Sequence, residues 1–189
     1  MQWENYHARI GERPSEIACA LTRHLKGPRK VALDLGAGHL RDSRFLLKSG
    51  FEKVVAVDVH TPPTQHWVHG IDFRQSLIEH FIPREGVYDG CIATNSLYFC
   101  PKRTLETTFK RVHGSLRKGG IFVCNLLTEA DPWVREYGCD KIAWVTDENL
   151  GTLENGFKII LSESTSKLRD ESSSEKKDWH CHIFILEKE

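Results

Sequence analysis

Residues 31–59 read VALDLGAGHLRDSRFLLKSGFEKVVAVDV, and this stretch decides the fold. With Lys30 before it, KVALDL is an apolar run of strand length, apolar on both faces as a central parallel strand requires. Gly36-Ala37-Gly38 is a turn. Asp42 to Ser49 reads as a helix, and Gly50 followed by Phe51 is a C-terminal cap pattern. KVVAVDV, from Lys53, is a second buried strand. Outward from this unit the alternation continues. Upstream, Pro14 to Lys26 reads as a helix with Ile17, Ala20, Leu21 and Leu25 on one face, stopped by Gly27 and Pro28. Downstream, TPPTQ (61–65) is a loop whose prolines exclude a helix. WVHGIDF (67–73) is a weaker third strand, and Tyr88 to Thr94 a fourth.

Pro101 opens a helix to about Arg117, with Leu105, Phe109, Val112 and Leu116 as its apolar stripe. LRKGGIFVCNLL (116–127) is a glycine turn into a fifth strand. Thr146 to Leu153 is a short helix capped by Thr146, with Asn149 as the capping-box partner. GFKIILSEST (156–165) and WHCHIFILE (179–187) are two final strands around a polar, serine-rich loop. This order predicts an α/β, doubly wound, Rossmann-like and mostly parallel seven-stranded sheet, with helices on both faces and a C-terminal antiparallel hairpin. One domain over residues 1–189 is expected, with 1–13 as a lid and 168–178 as a mobile loop. Sheets of this kind bind ligands beyond the carboxyl ends of their strands, near Gly36, Asp58, Asp72 and Asn95.

Composition narrows the function. Lys plus Arg and Asp plus Glu are 26 each, so net charge is zero, without the electrostatic footprint of a nucleic-acid binder. No apolar run approaches the roughly 20 residues that span a bilayer, and no signal h-region follows the start. A cytoplasmic protein with no membrane partner is expected. The six cysteines form no CxxC pair and read as free thiols.

Asp34-Leu-Gly36-Ala-Gly38 carries the chemistry. The glycines let backbone approach a ligand, and the turn presents N–H groups. Asp58, twenty residues past Gly38, stands at a strand end where a carboxylate accepts from both ribose hydroxyls of an adenosyl group. A dinucleotide site wants a third glycine where Arg41 stands, and no Walker sequence exists. A phosphate-free cofactor, S-adenosylmethionine, suits the turn better: Asp34 and the glycine amides for its amino-acid tail, Asp58 for its ribose.

With these residues in view, the stretch from Val31 to Val59 resembles the first two motifs of class I S-adenosylmethionine-dependent methyltransferases. The run Arg41-Asp42-Ser43 is similar to the small tellurite-resistance-type branch. IDF (71–73), YDGCIATNSLYF (88–99), LRKGGIFVCNLL and the ending WHCHIFILEKE fit its later motifs. The resemblance implies that Gly36, Ala37 and Gly38 line the methionine tail with Asp34 beneath, and that Asp58 takes the ribose. It implies that Val59 packs on adenine, Asp72 accepts from the adenine amino group, Phe73 lies beside the ring and Asn95 reaches the cofactor by its backbone. Leu40 stands where many members have a glycine, which implies a wider turn, and the short 59–70 segment implies a missing second helix.

The resemblance implies methyl transfer by in-line displacement to a small-molecule acceptor, by a monomer or weak homodimer. Trp3, Tyr6 and Arg9 at the N-terminus, with Tyr98 and Trp133 from later loops, are acceptor-pocket candidates, or else core and lid packing. Arg41 pairs with the cofactor carboxylate or an anionic acceptor, or is a surface residue at a helix start. No catalytic base is identifiable. His180 and His182 share a strand face, but two ligands make no closed zinc site, so no metal is expected. The alternatives are a nicotinamide-dependent oxidoreductase, which Arg41 disfavours, and a cofactor-binding module without turnover.

Overall fold

The computed structural model of the protein describes residues 11–138, 141–168 and 178–189. Most of the expected lid, with Trp3, Tyr6 and Arg9, and nearly all of the 168–178 loop lie outside the described residues.

The strands are β1 Val31–Leu35, β2 Lys53–Asp58, β3 Ile71–Gln75, β4 Tyr88–Ala93, β5 Leu116–Thr128, β6 Trp144–Val145, β7 Phe157–Leu168 and β8 Asp178–Lys188. The α-helices are α1 Glu16–His24, α2 Arg41–Lys48, α3 Leu105–Ser115, α4 Pro132–Tyr137 and α5 Asp147–Glu154. The sheet order is β3-β2-β1-β4-β5-β8-β7. The first five strands are parallel, and β8 is antiparallel to both neighbours. This is the expected Rossmann-like sheet. It carries one strand more than expected, the two-residue β6 parallel to the end of β5.

The two faces are covered by different helices. On one, Ile17, Leu21 and Leu25 of α1 and its C-terminal cap, with Leu46 of α2, pack on Ala32, Val54, Ile92 and Val123. On the other, Leu105, Phe109 and Val112 of α3 and Leu153 of α5 pack on Leu33, Val55, Cys91 and Phe122. Burying each such side chain contributes about 1.5–3 kcal/mol. Gly90 in β4 is what lets α1 lie so close, because a Cβ there would meet Leu21 Cδ1 at 2.8 Å.

Local rules set the helix ends. Ser15 caps α1, its Oγ accepting from Ala18 N at 3.0 Å, with Glu16 in the first turn and Arg23 and His24 in the last, as the helix dipole favours. α2 closes on Gly50, φ +100, with Phe51 N–H donating to Leu46 O and Gly50 N–H to Leu47 O, a Schellman pair. Thr146 and Asn149 form both halves of the capping box on α5.

Two expectations change, and the missing second helix after β2 is borne out. Pro101 precedes a 3-10 turn, Lys102–Thr104, and α3 starts only at Leu105. Residues 116–120 belong to β5 rather than to a turn before it: the register jumps from Tyr88↔Leu116 to Gly90↔Ile121, and Gly119 at φ +75 takes up the extra residues as a bulge does. Between β2 and β3 only a 3-10 turn, Thr64–His66, is present. Among the described residues no helix is long and apolar enough to cross a membrane.

Candidate cofactor site

The glycine turn leaves β1 and bends across the end of β2. Gly36 N–H and Ala37 N–H both donate to Val57 O, at 2.8 and 3.0 Å, and Gly38 N–H donates to Asp58 Oδ2 at 2.8 Å. The turn amides therefore face β2 and clamp it to β1. Gly36 has φ +80, and a Cβ there would lie 2.2 Å from Ser96 Cβ. Ser96, just after β4, donates from Oγ to Leu35 O at 2.6 Å. The first turn and the fourth-strand loop are thus pressed together, which only glycine at 36 permits. Leu40 corrects the expectation of a wider turn. It adopts the left-handed conformation itself, φ 62 and ψ 20, a geometry that costs a non-glycine residue about 1–2 kcal/mol, and its side chain is fully buried with Ala37 and Ala56.

Asp58 ends β2. Oδ2 accepts from Gly38 N–H, and Oδ1 accepts from His60 N–H at 2.9 Å. A carboxylate offers about four acceptor positions, so two backbone donors fix its plane and leave acceptor capacity at the mouth of the turn. Val59 beside it is 40% exposed. Asn95, after β4, has φ 50. Its N–H donates to Asn125 Oδ1 at 2.9 Å, and Asn125 Nδ2 donates back to its Oδ1 at 2.7 Å, an amide pair locking the ends of β4 and β5.

Asp34 lies under the turn, not in it. It is 1% exposed, and its Oδ2 accepts from Ser43 Oγ at 2.6 Å. Burial, helped by the nearby Asp42 carboxylate, pushes its carboxyl up to about 7, with the Ser43 hydroxyl pulling the other way. Asp42 is a hub that the sequence did not announce. It accepts from Ser15 N at 2.9 Å, Ser15 Oγ at 2.6 Å and Thr94 Oγ1 at 3.0 Å. Arg41 closes on the same carboxylate, Nε to Oδ1 at 3.0 Å and Nη2 to Oδ2 at 3.2 Å.

Asp72 stands elsewhere. In the parallel register it is level with Val55, and the residue level with Asp58 is Gln75. Its carboxylate is ion-paired with Lys53 Nζ and Arg74 Nε, both at 2.9 Å. Burial alone would raise its carboxyl, but hydrogen bonds from Lys53 and Arg74 outweigh that and hold it low. Gln75 instead reaches the site's edge, its Nε2 donating to Val59 O at 3.0 Å. Phe73 is half-buried, edge-on to Trp67 at 5.7 Å, and packs on the Ala37–Leu40–Ala56 cluster.

Tyr98 and Trp133 do come together, and a third ring joins them. Buried Asp131 caps α4, its Oδ1 accepting from Trp133 N–H at 2.9 Å, while Oδ2 accepts from His180 N–H at 3.0 Å. That double anchor ties α4 to β8 and sets Trp133 4.7 Å from Trp179. Tyr98, on the 3-10 turn Leu97–Phe99, lies 6.3 Å from Trp133 and 6.5 Å from Trp179. The strand that carries Trp179 is legible in the sequence, but its place beside Trp133 is not, because it depends on the long-range bond from His180 N–H to Asp131. Further along β8, His182 is held by the hydroxyls of Ser162 and Ser164, at 2.7 and 2.9 Å.

A glycine turn clamped to a strand-end carboxylate on a Rossmann-like sheet defines a protein that binds an adenosyl cofactor. Residues 33–124, from β1 into β5, match the model of the methyltransferase domain. On that match the chain is an S-adenosylmethionine-dependent methyltransferase, with S-adenosylmethionine as its cofactor. No curated protein matches the sequence. Among solved structures, the fold is shared with the Burkholderia thailandensis 1,6-didemethyltoxoflavin-N1-methyltransferase bound to 1,6-didemethyltoxoflavin and S-adenosylhomocysteine. That pair is 22% identical with a TM-score of 0.69, covering 98% of this chain and 82% of that one. It is also shared with the N-methyltransferase NodS of Bradyrhizobium japonicum in complex with S-adenosylhomocysteine, at 16% identity, TM-score 0.66, and 92% and 86% coverage. A third is an S-adenosylmethionine-dependent methyltransferase of Mesorhizobium loti, at 16% identity, TM-score 0.68, and 91% and 98% coverage.

Proposed function

We propose that the chain methylates a small molecule with a flat or cationic group, seated between the glycine turn and the Tyr98–Trp133–Trp179 wall. The observation that carries the cofactor half of this reading is Asp58, oriented by two backbone amides with acceptor capacity to spare. Asp58 holds the ribose hydroxyls, Val59 and Gln75 flank the adenine, and Gly36 to Gly38 with Asn95 border the amino-acid tail. Asp34, buried below, supports the turn through Ser43 instead of touching the tail. Bound S-adenosylmethionine supplies an already activated methyl group on its sulfonium.

The protein's own part is orientation and exclusion of water, for which aligned reactants gain up to about 7–11 kcal/mol. The aromatic wall favours a flat ring by stacking and a cation by its ring faces. The Burkholderia protein, bound to 1,6-didemethyltoxoflavin, supports a small-molecule acceptor. The Arg41-Asp42-Ser43 run supports placing the chain near the tellurite-resistance-type branch. We also propose that the segment ahead of Ser15 closes the acceptor side, since Ser15 is anchored there by Asp42.

Calorimetry tests the reading. S-adenosylhomocysteine is expected to bind in the micromolar range, roughly −8 kcal/mol, and more tightly than NAD or ATP. Tighter binding of NAD would overturn the assignment of the site. Trp133→Ala is expected to leave S-adenosylhomocysteine affinity unchanged while abolishing binding of flat heteroaromatic amines; equal binding of those amines by both proteins would remove the wall from the acceptor pocket.

A further inference from the structure

Among the described residues, no strand lies beside the outer edge of β3, and the phase of its ladder is fixed. Val54 N–H donates to Gly70 O and Ser76 N–H to Asp58 O, both at 2.9 Å. Every second residue from Gly70 to Ser76 therefore turns its backbone toward β2. Ile71, Phe73 and Gln75 turn theirs outward, and the Ile71 N–H reaches only Val68 O, at 3.4 Å. Sheet edges are ordinarily guarded by bulges, prolines or unpaired charge. The opposite edge, β7, has such a guard in the register shift between Ile159 and Leu161. β3 has none: its register with β2 is unbroken, and its two charged residues, Asp72 and Arg74, are paired with each other, Asp72 with Lys53 as well. Of the eight exposed large hydrophobic residues among those described, five (Val59, Trp67, Val68, Leu77 and Ile82) lie in the segments flanking β2 and β3.

We infer that this edge pairs with the same edge of a second copy, antiparallel about a two-fold axis at Phe73. The sequence Ile71-Asp72-Phe73-Arg74-Gln75 complements itself in that register and no other does so along its whole length. Phe73 faces Phe73, and Ile71 faces Gln75. All three residues with outward backbones then form hydrogen-bonded pairs, which exchange two bonds each. On the opposite strand face, Asp72 of each copy faces Arg74 of its partner, twice by symmetry. Cross-strand pairs of opposite charge stabilise a ladder and like charges destabilise it. The closed two-fold makes the contact isologous, so it stops at a dimer. It covers the flanking apolar residues and doubles the sheet.

The full chain in a wide dilution series by sedimentation velocity is expected to show a monomer–dimer equilibrium. Arg74→Asp sets Asp72 against a second carboxylate at both ends and is expected to weaken the dimer at least about tenfold. Asp72→Arg is expected to do the same. The double variant Asp72→Arg/Arg74→Asp restores the pairing in swapped order and is expected to recover most of the affinity. Amide exchange gives an independent reading: the Phe73 and Gln75 amides exchange fast in the dilute protein and gain protection with concentration, while Asp72 and Arg74 are protected throughout. A chain that stays monomeric at every concentration overturns the inference. So does a dimer that Arg74→Asp leaves intact, or one in which Phe73 and Gln75 gain no protection.

Discussion

Asp58 and Asp72 stand on neighbouring parallel strands and have opposite surroundings. Asp58 is at the carboxyl end of β2 and is held by two backbone amides. Asp72 is level with the middle of β2 and is held by two cationic side chains. Amides orient a carboxylate while leaving its charge available to a ligand; lysine and arginine consume that charge. Position along the strand, not residue type, therefore separates the two. The same contrast extends to their corners of the molecule. The glycine corner is closely packed, with Gly36 against Ser96 and Asp34 sealed beneath. The β3 corner is open and ionic.

The comparison predicts a graded series of effects. Gly36→Ala forces both a left-handed alanine and a clash with Ser96. It is expected to cost about 2–5 kcal/mol of stability, measured by urea unfolding; a loss below 1 kcal/mol would show that the corner yields and is not closely packed. Asp34→Asn comes next. The Asp34 carboxyl is raised to about 7 when folded, against 3.8 as reference. The unfolded chain therefore releases this proton first, and wild-type stability falls as pH rises between these two values. The asparagine variant lacks that fall. By pH 8 it is expected to lead by on the order of 4 kcal/mol relative to its standing at pH 4; parallel stability curves across that range would mean that Asp34 ionises freely.

Asp58→Ala removes the ribose acceptor proposed for the site, and hydrogen bonds to charged groups contribute about 1.5–3 kcal/mol each. S-adenosylhomocysteine affinity is expected to drop at least about tenfold with the fold retained; unchanged calorimetry would place the ribose elsewhere. Asp72→Asn is the smallest. Its exposed ion pairs are worth about 0–1 kcal/mol, and cofactor affinity is expected to stay within about twofold. A loss matching that of Asp58→Ala would erase the contrast and return Asp72 to the adenine pocket.

What could be read in the sequence was local. The turn at Gly36 to Gly38, the helix stop at Gly50 and the strand end at Asp58 are each set by a few adjacent residues, and the sheet follows from their order. What could not be read depends on partners far along the chain. Asp72 looks like a strand-end acid until the β2–β3 register makes Gln75 the residue level with Asp58. Trp179 belongs to the aromatic wall only because Asp131 bonds the backbone of His180. Leu40 breaks the local rule that a left-handed residue is glycine, and its compensation is a side chain buried between Ala37 and Ala56, which a turn motif does not reveal.

The Asp42 hub also bears on how the chain reaches its fold. It joins Ser15, Asp42 and Thr94, whose pairwise separations in sequence are 27, 52 and 79 residues. Contacts that close such long loops carry a large entropic cost before they return any energy. None of the three can meet until α1, α2 and β4 are already docked on β1. The hub is then expected to act as a latch that forms after the rate-limiting step of folding. Weakening it with Thr94→Val should leave the folding rate nearly untouched and show up as faster unfolding, so that the carboxylate sets how long the folded molecule lasts more than how quickly it is made.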